Sequence, residues 1–257
     1  MKLSLLYLDD TYHPESQISA LTGVLVPATE YAELTAKFYQ GLKWAINPKE
    51  RTYNLHPPEL HASDMLRDHD GVDDARRVEM FTHVADLVAS NGLRLLRVGY
   101  FLTPALEEMI PADPRLVTIH FGNMIRVLQP RLAREQIIPV MDGFQHVRLM
   151  AGSSQAMAVG RQTDLHRSMT IENSENLVGE VLFADSKYSI FTQVADIVGY
   201  LRLVSDLASE GLPLSSFKQQ LLPIARTLDD CFDYDEIAVI TFNDIPQFPR
   251  HHARRKA

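Results

Sequence analysis

The stretch QVADIVGYLRLVSDLA, residues 193–208, constrains the fold more than any other, because it pairs a strong helical period with a carboxylate in the wrong place. At about 3.6 residues per turn, Val194, Ile197, Val198, Leu201 and Val204 form one apolar face. Tyr200, Leu203 and Leu207 form a second, roughly opposite, and Asp196 falls on that second stripe. A helix of this kind belongs in a core. Burying an unpaired carboxylate costs several kcal/mol, so Asp196 calls for a cation, a metal or several hydrogen-bond donors beside it.

The rest of the chain alternates strand-like and helical patterns. Lys2 to Asp9 and Ile18 to Val26 are apolar runs that read as buried strands joined by the turn-like TYHPESQ. Helical spacing follows from Ala28 to about Ile46 and again from Asp73 to Ser90, where Asn91-Gly92 supplies a stop. Between them lies a proline-bounded stretch too broken for a long helix. A strand is expected over Leu93–Leu102, a helix from Pro114 to about Arg134, a strand over Ile137–Met141 and another over Glu180–Ala184. The helix containing Asp196, a shorter helix and a last strand over Glu236–Phe242 complete the pattern. Such alternation predicts an α/β architecture. Residues 144–176 have no clean period and read as a polar excursion with some helix.

Composition narrows the function classes. The chain has 257 residues and is 46% hydrophobic, enough for one large domain or a domain with insertions. No apolar run reaches the length of a bilayer span, and MKLSLLYL runs directly into Asp9 and Asp10 instead of a cleavage site, which reads as cytoplasmic with no membrane partner. A single cysteine, Cys231, excludes an internal disulfide framework and any multi-cysteine zinc site, and is expected to be an inert core thiol. The net charge of -8 argues against a protein that coats nucleic acid nonspecifically, although not against a nucleic-acid enzyme. The tail RHHARRKA collects Arg250, Arg254, Arg255 and Lys256; as a solubilising end it has a plain explanation.

Several carboxylates recur at strand ends, where α/β folds place their chemistry. Asp9 and Asp10 close the first strand, and Asp142 closes a later one. Each alone is an ordinary turn-former. Together with Asp196, on separate elements converging at one sheet edge, they would repel one another unless a cation neutralised them. Hard oxygen ligands without cysteine favour Mg2+ or Mn2+. Glu59 is a fourth candidate, two positions from His61 after a pair of prolines, so both share a face if the segment is extended. His61 is a ligand or proton shuttle on one reading and a hydrogen-bonded structural histidine on the other. Asp64 has a plainer explanation as a cap or loop residue. Asp185, Ser186 and Lys187 precede the Asp196 helix: Lys187 could meet a phosphate, and Asp185 is either a weaker metal candidate or, with Ser186, a helix cap.

The segments LLYLDDTY, ELHASDM, IPVMDG and ADSKYSIFTQVADIVGYLR resemble the family of prokaryotic and phage proteins called domain of unknown function 3800, over nearly the whole chain. Ser186, Lys187, Gln193, Ala195 and Asp196 stand in the family's order and spacing. The resemblance implies a ribonuclease-H-like mixed β-sheet flanked by helices, spanning residues 1–246 as a single domain with a polar insertion around 144–176 and a basic tail at 247–257. It also implies two divalent metals held by carboxylates from the first strand, a glutamate, a later strand end and the C-terminal helix. Asp9, Glu59, Asp142 and Asp196 match those roles in turn. The family's Glu-Ser-Gly after the first aspartate is Asp10-Thr11-Tyr12 here. A helical segment also separates the second strand from Glu59, unlike the compact opening of the simplest such folds.

The expectation is metal-dependent phosphodiester hydrolysis by a nuclease, with two Mg2+ or Mn2+ ions about 4 Å apart and Asp9 bridging them. Lys187, His61, Arg148, Arg161 and Arg167 are then candidates to hold substrate phosphates. Two alternatives remain open: a non-catalytic ribonuclease-H-like module that binds a partner protein in a defence or toxin-antitoxin system, and a phosphatase or nucleotide hydrolase acting on small substrates. Nothing in the sequence fixes RNA against DNA, or the oligomeric state.

Overall fold

The structure is a computed structural model that describes residues 2–13, 16–45, 62, 73–102, 115–131, 135–142, 177–178, 181–186 and 188–240. Six strands form one sheet: β1 (Lys2–His13), β2 (Ile18–Pro27), β3 (Arg94–Leu102), β4 (Glu135–Asp142), β5 (Leu182–Ala184) and β6 (Phe232–Ile240). Their order is β5-β4-β1-β2-β3-β6. Only β2 runs against its neighbours; β1, β3, β4, β5 and β6 are all parallel. The expected α/β architecture is therefore a mixed six-stranded sheet with helices on its faces. The helices are α1 (Tyr31–Ala45), α2 (Asp74–Ser90), α3 (Arg115–Arg131), α4 (Ile190–Ser209) and α5 (Ser216–Arg226).

Period-two alternation along the strands sorts the sheet into two faces. Tyr7, Ala20, Val24, Leu95 and Val140 join α2, α4 and α5 in one core. Leu6, Leu8, Leu21, Leu96, Val98 and Met141 pack with Phe121, Met124, Ile125 and Leu128 of α3 in the other. Local signals account for most boundaries. Asp73 caps α2, its side chain accepting from the Arg76 N–H at 2.8 Å, and Gly92 turns the chain at a φ of 59°, in the left-handed region that a glycine adopts without cost.

Two boundaries differ from expectation. β1 does not end at Asp9 and Asp10 but continues to His13, because β2 keeps pairing with it through His13–Ile18. The last strand begins at Phe232, four residues before the expected Glu236, because β3 offers it a parallel partner from Leu95 onward. The polar excursion at 144–176 and the basic tail lie outside the described residues. Among the described residues no helix is long and apolar enough to cross a membrane.

The α3 face carries a buried histidine. His120 is 1% exposed, shares a 2.9 Å hydrogen bond between its Nε2 and the Ser19 hydroxyl, and stacks on Tyr100. Burial, and then the Arg97 charge, push its pKa down to about 3, so the imidazole is neutral.

Candidate functional site: a polar seam between the sheet and α4

A row of polar residues crosses the sheet on the α4 side. Asp9 pairs with Thr22, Thr22 with Arg97, and Arg97 with Asp235. On the other flank, one step beyond the last β1–β4 pair, Leu8–Met141, the same parallel register sets Asp142 beside Asp9. Asp142 in turn pairs with Ala184 of β5, whose next residue is Asp185. Asp9 and Asp142 share the side occupied by Tyr7 and Val140, the side that α4 covers.

Helix α4 lies on this row. Its seat is set by Gly199, where an added Cβ would fall 2.6 Å from the Thr11 hydroxyl and 3.0 Å from that of Thr22. Only hydrogen fits there. Asp196 lies one turn before Gly199, toward the end where β1 and β4 carry their aspartates. Arg202 and Asp206 lie one and two turns after it, over β3 and β6. Arg97 is fully buried and bridges Asp206 at 2.5 Å and Asp235 at 3.3 Å; Arg202 pairs with Asp235, and with Asp229 at 2.9 Å. One end of the seam is thus neutralised within the protein. The other end gathers the aspartates of β1, β4 and α4.

That imbalance registers at Asp9. Burial first, then the charges of Asp196, Asp10 and Asp142, hold its carboxyl well above the ordinary aspartate range, while a hydrogen bond from the Asp10 backbone pulls weakly the other way. Asp196 itself accepts a 2.8 Å hydrogen bond at Oδ2 from the backbone N–H of Ala62, a residue 1% exposed. The carboxylate on the apolar stripe therefore meets a backbone donor. Asp196 keeps a partly exposed edge, while Val194, Ile197, Val198, Leu201, Val204, Tyr200, Leu203 and Leu207 are all buried.

The structure brings Asp9, Asp142 and Asp196 to one end of the seam. Asp10 leaves β1 on the opposite side, toward α3, and is exposed. Asp185 follows β5 directly; its carbonyl accepts from the N–H groups of Tyr188 at 2.9 Å and Ser189 at 3.0 Å. Neither Asp185 nor Ser186 is the cap of α4, because that turn delays the helix until Ser189, whose own side chain makes no capping hydrogen bond. Gln193 fixes the turn, its Nε2 donating to the Ser186 carbonyl at 2.7 Å. Glu59, His61, Asp64, Lys187, Arg148, Arg161 and Arg167 lie outside the described residues. Among the described residues no three His, Cys, Asp or Glu side chains form a ready-made metal cage.

The donor set still suits a hard cation. Asp9, Asp142 and Asp196 offer only carboxylate oxygen, and a proton or a cation relieves the repulsion among such groups. The residues that sequence reasoning missed are those that build the seam: Thr22, Arg97, Gly199, Arg202, Asp206 and Asp235. Arg97 carried a signal, a cation in the middle of the strand LRLLRVGYFL, with apolar residues on both sides of it. Compared with protein-family models, curated proteins and solved structures, the chain matches none.

Proposed function

We propose that the chain is a metal-dependent phosphodiester hydrolase, a nuclease of ribonuclease-H-like type. The observation that carries this reading is the elevation of Asp9 by burial together with the charges of Asp196, Asp10 and Asp142. The elements fit what the resemblance implies: a carboxylate on the first strand, one at a later strand end and one on a late helix. The resemblance supplies Glu59 as a further ligand; in the sequence it stands three positions before Ala62, whose N–H meets Asp196.

On this reading Asp9, Asp142 and Asp196, with Glu59, hold one or two Mg2+ or Mn2+ ions. Such ions supply an activated water and charge stabilisation for the departing oxygen. The residues of the chain orient that chemistry. Asp9, in the central strand, is positioned between Asp142 and Asp196, and α4 covers one side of the cluster. Nucleic acid is the proposed substrate, with Lys187 and His61 as phosphate contacts.

Calorimetric titration with Mg2+ and Mn2+ tests the core claim: binding is expected in the wild type and lost in Asp9→Ala and Asp196→Ala. Binding that persists in both variants would overturn it. Nicking of labelled single-stranded RNA, DNA and hybrid duplexes, abolished by chelator and by Asp142→Asn, tests the activity. A second reading, a binding module without catalysis, is favoured by the Ala62 hydrogen bond, which occupies one oxygen of Asp196. Metal binding without nicking would select it.

A further inference from the structure

Thr22 is fully buried, and its hydroxyl has no hydrogen-bond partner. It is the cross-strand partner of Asp9, and its side chain lies on the same face, under the Gly199 backbone of α4. A buried hydroxyl left without a partner is uncommon in a folded chain and asks for an explanation. Its surroundings narrow the choice. Side chains directly opposite in an antiparallel pair have Cβ atoms about 5 Å apart, so a rotation about the Thr22 side chain is enough to reach the Asp9 carboxylate. On the other side of Thr22 the row continues to Arg97, which can only donate; its terminal nitrogens are paired with Asp206 and Asp235, while its buried Nε, like the Thr22 hydroxyl, makes no hydrogen bond. Above it, Gly199 presents no side chain.

We propose that Thr22 is a positioning residue whose hydroxyl donates a hydrogen bond to the Asp9 carboxylate when Asp9 binds a divalent cation, fixing which oxygen faces the ion. The proposal rests on Asp9 being a metal ligand. Groups that hydrogen-bond a ligating carboxylate orient it, and their loss commonly weakens metal binding by about tenfold to about a hundredfold. A packing role for Thr22 makes the opposite demand. Exchanging an unpartnered buried hydroxyl for a methyl of the same shape leaves the metal-free fold as stable or more so.

The experiment compares wild type, Thr22→Val and Thr22→Ser in full-length protein, by Mn2+ titration and by melting of the metal-free form. Thr22→Val is expected to melt at or above the wild-type temperature while its Mn2+ dissociation constant rises about tenfold or more, and Thr22→Ser is expected to bind within a few-fold of wild type. Mn2+ affinity unchanged in Thr22→Val overturns the positioning role while leaving the metal site standing. Weak binding in Thr22→Ser as well as Thr22→Val assigns the effect to packing and overturns it too. Absence of Mn2+ binding in the wild type fails the nuclease reading itself, and this proposal with it. Thr22→Ala, scored by the same criteria, replaces Thr22→Val should the added methyl disturb the fold.

Discussion

Gly199 and Thr11 meet so closely that a single methyl group could not be placed between them: a Cβ on Gly199 would lie 2.6 Å from the Thr11 hydroxyl. Thr11 is β-branched and held in a strand, so its hydroxyl has little room to retreat. Gly199→Ala gains up to about 1 kcal/mol of helix propensity, but overpacking at such a contact costs about 1–3 kcal/mol. The net expectation is lower stability, read as a reduced denaturant midpoint, and a larger proportional loss of metal affinity because α4 carries Asp196 off the sheet. Thr11→Ala in the same chain should recover part of both. A Gly199→Ala protein as stable as wild type would show that α4 seats differently.

Asp9 predicts a slope of stability with pH. Its ordinary value, 3.8, is restored on unfolding, whereas burial and neighbouring aspartates raise it in the fold. Above 3.8 the native state therefore binds the extra proton, and metal-free stability declines as pH rises until the folded carboxyl ionises. Asp9→Asn should flatten that decline, and saturating Mg2+ should offset it in the wild type. Denaturation from about pH 4 to about pH 8, with and without Mg2+, checks the sign. Parallel profiles in wild type and Asp9→Asn would count against it.

His120 acts in the opposite direction. Its pKa falls from 6.5 to about 3 in the fold, so the unfolded chain takes up a proton first as the solution is acidified. Its contribution to stability is whole above 6.5 and is lost as pH falls towards 3, by on the order of a few kcal/mol at about 1.4 kcal/mol per unit. In His120→Gln this part of the acid sensitivity should disappear. Imidazole nitrogen shifts that report a charged ring at pH 5 in native protein would refute the assignment.

Arg97 is expected to be the costliest polar residue to truncate. It is fully buried between Asp206 and Asp235, and removing it leaves two carboxylates to the single guanidinium of Arg202. Arg97→Ala should lose about 3–5 kcal/mol, whereas Arg97→Met together with Asp206→Leu should lose less. Equal losses in the two proteins would mean that packing, not charge, makes the site sensitive.

Much of this was legible in the residues themselves. The helix around Asp196, the Asn91-Gly92 stop and the strands around Asp9 and Asp142 follow from period and turn chemistry, which act over a few neighbouring positions. Register is different. Nothing local in Thr22 or Arg97 announces that they share a row with Asp9, because that row is set by pairing between strands far apart in sequence. The run of β1 past Asp10 was hidden for the same reason: Thr11-Tyr12-His13 reads as the start of a turn until Ala20, Ser19 and Ile18 supply partners. The use of Gly199 appears only when Thr11 stands beneath it.

The pairing of Lys2 with Glu135 has a consequence for the order of assembly. During synthesis β1 and β2 can form a local hairpin at once, yet the other edge of β1 stays open until β4 has been made. Contacts across so much sequence are slow to form, and an exposed apolar strand edge invites pairing with other chains in the interval. Asp196, on a helix made later still, is added to a sheet whose centre is already set. The acidic residues thus meet only after four strands and the helix of Asp196 have all been made, and a divalent ion bound among them would favour the finished chain over its precursors.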